Sequence, residues 1–411
     1  MRILHNVSFA LLILCSIYLS SGCTHIPSTR AVQIVRAGNH LYVGTNLQSR
    51  SLTGTSAYIN LYNVDKNRWE DKLTLPKVEE AAIEKMIVNN GVVYVQQKGN
   101  WKNNGGIYRI SKNGNFDRIV ELDHFESLAG IDDEYFYVTE MKYLSNPDIK
   151  ANNWMFQPAK YNKRTGARIE YHFEKNQDLV VRDVWEDDQN YWYACFQGGK
   201  PQKYNIPSGN LVLVNKSKTD GKIDINKLEV GDWIFDGKII GDKDSIWIFR
   251  SPRDNSASIK YHFVKFSKKD KVFQPNNDIK FSKLIPFIPN QDNENDKYLW
   301  ILDTSSSTAQ IKIDRIEKVS LTRSKIDLNN ISNSNSTRTT GTTYADEDYL
   351  WLDAYKLKSY APTGNTVPYL LKISKKDLSY ELIYIEPTMA DSIKTILNNF
   401  FFWFWIPFFR G

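Results

Sequence analysis

Three cysteines, six histidines and several acidic clusters hold whatever nucleophilic, metal or acid–base chemistry this 411-residue chain has. Cys195 sits in Tyr191-Trp192-Tyr193-Ala194-Cys195-Phe196, a strand-like run, and is expected to be a buried small hydrophobe. As a nucleophile it has no histidine nearby in sequence. His5, His25, His40, His124, His172 and His262 are scattered, with none of the close spacings that zinc ligands use. The acidic clusters are Asp132-Asp133-Glu134, Glu186-Asp187-Asp188, Asp242 with Asp244, Asn293-Glu294-Asn295-Asp296 and Asp346-Glu347-Asp348. None has the spacing of a calcium loop. Each precedes an aromatic run, so they are expected to close turns on their own backbone. No nucleophile elbow, phosphate loop or dinucleotide fingerprint is present. No catalytic residue, metal ligand or cofactor is therefore assigned.

The two remaining cysteines lie at the N-terminus. Arg2 supplies a positive start, and Val7 to Leu19 is apolar apart from Ser8 and Ser16. Ser20-Ser21-Gly22 then gives small residues before Cys23, as in a secretory signal ready for cleavage. Cys15 is expected to leave with residues 1–22. The run Leu19-Ser20-Ser21-Gly22-Cys23 resembles the lipobox of bacterial lipoproteins. The resemblance implies a diacylglyceryl thioether on Cys23, cleavage before it and acylation of the new amine. Two or more acyl chains anchor stably where one is marginal. Thr24 replaces the aspartate that such lipoproteins use for inner-membrane retention, so the resemblance implies the outer membrane.

At the other end, Phe400-Phe401-Phe402-Trp403-Phe404-Trp405 continues through Ile406-Pro407-Phe408-Phe409. As a helix this run would cover about 15 Å, half a bilayer core. It suits a membrane interface or a partner's groove; alternatively it folds back onto its own domain.

The 53 Lys and Arg against 47 Asp and Glu give a net charge of +6. No dense basic stripe accompanies it, which argues against nucleic acid. The lysine pairs Lys268-Lys269 and Lys375-Lys376 read as turns. The unusual quantity is 13 % aromatic residues, suited to strands and to flat contact surfaces.

These elements repeat. The runs Leu41-Tyr42-Val43, Val93-Tyr94-Val95, Phe136-Tyr137-Val138, Trp192-Tyr193-Ala194, Ile246-Trp247-Ile248, Leu299-Trp300-Ile301 and Leu350-Trp351-Leu352 recur about every 51 residues. Most are followed by a second alternating run, such as Ile107-Tyr108-Arg109-Ile110, with the period of a strand buried on one face. In the sixth copy that run is expected between Ala309 and Ile316. Turn residues come next, then a further strand such as Arg118-Ile119-Val120-Glu121-Leu122. Strands are also expected before the aromatic runs, at Gln33-Ile34-Val35, Met86-Ile87-Val88 and Val180-Val181-Arg182. Gly105-Gly106 and Gly198-Gly199 read as hairpin turns, and Ile331 to Thr343 as a solvated loop or weak strand pair.

Four strands per repeat of this length make a propeller blade. The expected fold is all-β, one seven-bladed β-propeller over residues 31–386, after a signal (1–22) and a lipidated linker (23–30), and before an aromatic tail (387–411). Ring closure is expected without a shared strand. Asp244-Ser245-Ile246-Trp247-Ile248 and Asp348-Tyr349-Leu350-Trp351-Leu352 resemble the propeller repeats of bacterial two-component sensor ectodomains. That resemblance implies the fold and leaves the ligand open.

Three functions remain open. The first is a non-enzymatic envelope lipoprotein using its propeller as a platform for a protein partner. The second is a propeller that binds or cleaves a glycan, which requires surface Trp and Tyr and, for cleavage, a carboxylate pair. The third is an accessory subunit of a membrane assembly docked through the tail.

Overall fold

A computed structural model describes residues 28–48, 56–76, 82–99, 104–144, 153–173, 179–197, 202–203, 211–228, 233–252, 261–281, 284–287, 296–303, 311–328, 337–339, 341–357 and 366–385. All regular elements among them are strands, arranged as seven separate antiparallel sheets. Blade 1 spans 28–74, blade 2 82–122, blade 3 126–169, blade 4 179–228, blade 5 233–281, blade 6 284–327 and blade 7 337–384. Within each blade the four strands pair in chain order. A two-residue strand, Gln202–Lys203, adds to blade 3, and the first strand of blade 7 comes in two pieces, Thr337–Arg338 and Thr343–Ala345.

Blade 4 shows why the sequence folds this way. Its strands are Leu179–Glu186, Asn190–Gln197, Leu211–Ser217 and Ile223–Leu228. Tyr191 to Phe196 are buried without a break, and so are Leu211 to Val214. A blade in mid-ring has neighbours on both faces, so its middle strands are apolar on both. Strict alternation with one buried face is therefore not what the third strands show. Only the outer strand Ile223–Leu228 keeps a wetted face.

The seven sheets form a ring. Side chains of each blade share a core cluster with the next, as when Ile246 and Trp247 of blade 5 meet Leu299 and Ile316 of blade 6. The first strands of neighbouring blades also touch, and one axial cavity is lined by all seven of them. The fold is thus a seven-bladed β-propeller. Blades 7 and 1 close without exchanging a strand. Ala31, Ile34 and Tyr62 pack with Tyr344, Trp351 and Leu370, and Trp69 Nε1 donates to the carbonyl of Tyr384 at 2.8 Å.

Three local expectations change. Gly105 and Gly106 begin the third strand of blade 2, Gly105–Ile110, and do not turn. A Cβ on Gly105 would lie 2.5 Å from the Gln97 carbonyl, so glycine there allows a close strand approach. Within 331–343, Thr337–Arg338 and the start of Thr343–Ala345 belong to the first strand of blade 7, and Thr343 is buried. That strand lacks a long apolar run, which hid it. The third strand of blade 6 is Lys312–Glu317, inside the expected interval except for its last residue. Gly198 and Gly199 lie outside the described residues.

All first strands run toward one face of the ring. There, short turns join first strand to second and third to fourth. Fourth strands run antiparallel to first strands, so the described chain begins at Ser28 and leaves at Tyr384 on the same, opposite face.

Candidate functional site, an axial channel and a ring of lysine clamps

An aspartate between the first and second strands makes a similar set of bonds in blades 3 to 7. In blade 4, Asp187 Oδ1 accepts the backbone N–H groups of Gln189 and Asn190 at 3.0 and 2.7 Å. Its Oδ2 accepts Trp192 Nε1–H at 2.7 Å. Asp242 does the same with Trp247 at 2.8 Å, Asp296 with Trp300 at 3.1 Å and Asp346 with Trp351 at 2.7 Å. In blade 3 the phenols of Tyr137 and Tyr193 both donate to Asp132 Oδ2, at 2.8 and 2.9 Å. Burial, with Asp132 beside them, drives both phenol pKa values far above the usual range. The expected turn-closing role is present, but only one carboxylate oxygen performs it.

The second oxygen also reaches the next blade. Lys268 of blade 5 donates to Asp187 of blade 4 at 2.7 Å, and Lys375 of blade 7 to Asp296 of blade 6 at 2.6 Å. Lys318 of blade 6 stands 3.4 Å from Asp242 of blade 5. Lys163 of blade 3 bonds Asn89, the residue that replaces the aspartate in blade 2. These lysines occupy one position, the start of the turn between third and fourth strands. Blade 1 has Val64 there, and at that seam Arg36 takes over, 3.0 Å from Asp346 of blade 7. Burial alone would raise the Asp187 pKa; the Lys268 ammonium and the Trp192 N–H outweigh it and hold it below the usual value. This face is termed the clamp face.

Inside the ring, a cavity of about 370 Å³ lies next to the clamp face. First strands of blades 1 to 5 each carry a bulge at a similar height, between Ala31 and Gln33, Ile83 and Lys85, Leu128 and Gly130, Val181 and Asp183, and Phe235 and Ile239. Bulges re-aim side chains. Here Gln33, Lys85, Asp183 and Lys238 follow or occupy the bulges and line the cavity, with Thr342 from blade 7. Lys85 Nζ lies 3.6 Å from Asp183 Oδ1 and also bonds the Ala129 carbonyl. Asp183 Oδ2 accepts the Ile239 N–H at 3.0 Å, which ties blades 2, 3, 4 and 5 together. Desolvation pulls the Lys85 pKa down to about 8 despite Asp183, and Lys238 and Arg182 nearby push the same way. Lys238 has no acid partner among the described residues.

The residues singled out from sequence are placed as follows. Cys195 is fully buried, and burial lifts its thiol pKa far above the usual range, as suits a core hydrophobe. Cys23 and the tail residues Phe400, Phe401, Phe402, Trp403, Phe404 and Trp405 lie outside the described residues. Among the described residues no group of three or more His, Cys, Asp or Glu could hold a metal ion. The aromatic richness is spent inward. Trp185, Trp192, Trp247, Trp300 and Trp351 are all buried, so these five offer no stacking surface to a sugar. Neither the clamps nor Lys85 was visible in sequence. The one available signal was a lysine at the same place in the third-to-fourth turns of blades 3 to 7.

No family model matches the chain, and none of the curated proteins matches it. Solved structures do. The chain is similar to an acylaminoacyl peptidase in complex with Z-Gly-Gly-Phe-chloromethyl ketone, with TM-score 0.54 and 10 % identity over 86 % of this chain and 52 % of that one. It is similar to the Pyrococcus horikoshii acylaminoacyl peptidase in its orthorhombic crystal form, with TM-score 0.51 and 11 % identity over 86 % and 52 %. A prolyl endopeptidase gives TM-score 0.52 and 9 % identity over 90 % and 51 %. The chain spans about half the length of these proteins. At such identity the likeness shows the fold alone.

Proposed function

We propose that this protein is a lipid-anchored, non-enzymatic component of the bacterial outer membrane that holds an envelope protein partner on its propeller. The observation that supports this best is the placement of the chain ends. Ser28 and Tyr384 lie on the face opposite the clamps. Ser28 is five positions after Cys23, a reach of at most about 18 Å. A lipid on Cys23 therefore draws that face to the bilayer and turns the clamp face away from it. Tyr384, the last strand residue before the aromatic run in sequence, lies on the same face as Ser28.

The clamp face suits a docking platform. Cross-blade ion pairs stitch its turns together, and sites on rigid elements are the more accurately held. Its rim exposes Ile223, Val272, Val319 and Tyr380 on four consecutive blades, 40, 52, 88 and 37 % accessible. Apolar residues exposed in one sector favour a protein contact.

The test is site-specific labelling in intact membranes. Single cysteines are placed at Lys269 on the clamp face and at Lys98, at the end of a second strand on the opposite face. A bulky maleimide is expected to label Lys269→Cys several-fold faster than Lys98→Cys. Equal rates, or recovery of the unmutated protein in the soluble fraction, would refute the proposal. A role as accessory subunit of a membrane assembly is favoured by the shared face of Ser28 and Tyr384. Deleting residues 392–411 would then release the protein from that assembly while leaving it membrane-bound.

A further inference from the structure

The axial cavity holds a charge arrangement that the fold does not explain. Lys85, Lys238 and Arg36 line it, with Asp183 and Glu186. Arg36 is committed to Asp346 at 3.0 Å, and Glu186 to Lys218 at 2.6 Å. Asp183 is shared between Lys85 at 3.6 Å and the Ile239 N–H at 3.0 Å. That leaves Lys238 as a half-buried ammonium with no carboxylate of its own among the described residues. Its charge opposes that of Lys85, as does Arg182. Lys85 and Lys238 thus face one carboxylate, Asp183, in the same recess. Such a cluster is costly in the empty protein, and an added anion relieves it.

The rest of the lining sets the character of that anion. Val32, Ile34, Met86, Ile87, Val184 and Ile239 supply an apolar wall. Gln33, half-buried, adds an amide with no hydrogen-bond partner among the described residues. At about 370 Å³ the cavity falls in the range of small-ligand sites. A bare inorganic anion would leave most of the wall uncovered, whereas an uncharged apolar molecule would leave the cations unanswered.

We propose that the channel binds a small organic carboxylate, its head group between Lys85 and Lys238 and its apolar body against Ile34, Met86 and Ile239. The Gln33 amide is placed to donate to the same head group or to a substituent. The inference goes beyond the lipid-anchored platform and stands whether or not Cys23 is acylated.

The test is calorimetric titration of the full-length protein in detergent with three probes: benzoate, the neutral benzyl alcohol and inorganic phosphate. Benzoate is expected to bind with a dissociation constant below about 1 mM, and each of the other two at least tenfold more weakly. Lys238→Gln is the chosen variant because Lys238 makes no ion pair among the described residues. It is expected to weaken benzoate at least tenfold with an unchanged unfolding midpoint, while Lys238→Arg retains binding. Benzyl alcohol binding as well as benzoate would remove the charged head group from the site. Phosphate binding as well as benzoate would remove the apolar body. Benzoate unaffected by Lys238→Gln, or not bound at all, overturns the proposal outright. Cys23→Ala leaves every one of these affinities unchanged, which separates this site from the anchor.

Discussion

Replacing Lys268 by Met tests whether the clamps hold the ring together. The side chains of Lys268 and Asp187 are 13 and 11 % accessible, so the pair is largely desolvated. Removing the ammonium leaves Asp187 buried with three N–H donors, from Gln189, Asn190 and Trp192. Breaking a buried pair outright costs about 3–5 kcal/mol. With three hydrogen bonds retained, the expected loss is about 2–3 kcal/mol. The neighbouring Lys269 is exposed, and Lys269→Met is expected to change stability by less than about 0.5 kcal/mol. Adding Asp187→Asn to Lys268→Met removes the orphaned charge and should recover at least half the loss. Acid supplies a second readout. The Asp187 pKa is depressed in the fold, so its contribution is present above the ordinary carboxylate pKa and disappears as pH falls through the folded value. Lys268→Met should therefore lose less stability on acidification than the unmutated protein. The assay is urea unfolding followed by tryptophan fluorescence, between pH 7 and pH 3. A loss below about 0.5 kcal/mol at pH 7, or equal losses for Lys268→Met and Lys269→Met, would refute the inter-blade role.

Lys85 gives a pH dependence of the same sign in the alkaline range. Its pKa falls from 10.5 to about 8 in the fold, so the unfolded chain binds more protons between those values. Stability should rise with pH through that window by up to about 3 kcal/mol relative to Lys85→Met, and a difference that stays flat from pH 7 to pH 10 would exclude a desolvated lysine. Gly241→Ala places a Cβ 2.0 Å from the Trp185 indole nitrogen of the neighbouring blade, and should cost about 2 kcal/mol or more. Gly221→Ala meets nothing within 4 Å and strains only its left-handed backbone, so it should cost about 1 kcal/mol; equal losses would show that the Gly241–Trp185 contact is not tight. Cys195 should resist a thiol reagent at pH 8 for hours in the native protein and react within minutes in urea; fast native labelling would contradict its burial.

The blades were legible in sequence because their strongest signal is local. An aspartate, a two- or three-residue turn and a Trp or Tyr five residues on form one hydrogen-bonded unit, and a ring must repeat it. Asp242 and Trp247 illustrate the unit, and the spacing of the seven aromatic runs gave seven blades. What stayed hidden depends on contacts between blades. Lys268 and Asp187 are 81 residues apart, and Arg36 and Asp346 are 310 apart. No periodicity links such pairs until the ring is closed. The channel was hidden for a different reason. Bulges at Ala31/Gln33, Ile83/Lys85 and Val181/Asp183 break the alternation that would place Gln33, Lys85 and Asp183. The abundance of aromatics pointed to a contact surface, yet Trp247 and Trp351 are the cores of their blades. Composition cannot distinguish a ring that faces water from one that fills a sheet.

The chain ends link the fold to the proposed function, because an anchor at Cys23 fixes which face looks outward. The most direct measurement is the mass of the N-terminal peptide released from the detergent-extracted protein. Lipidation requires a peptide that begins at Cys23 and carries a diacylglyceryl group and one further acyl chain. An unmodified Cys23, or a mature chain that begins elsewhere, would contradict the anchor and with it the orientation of the propeller.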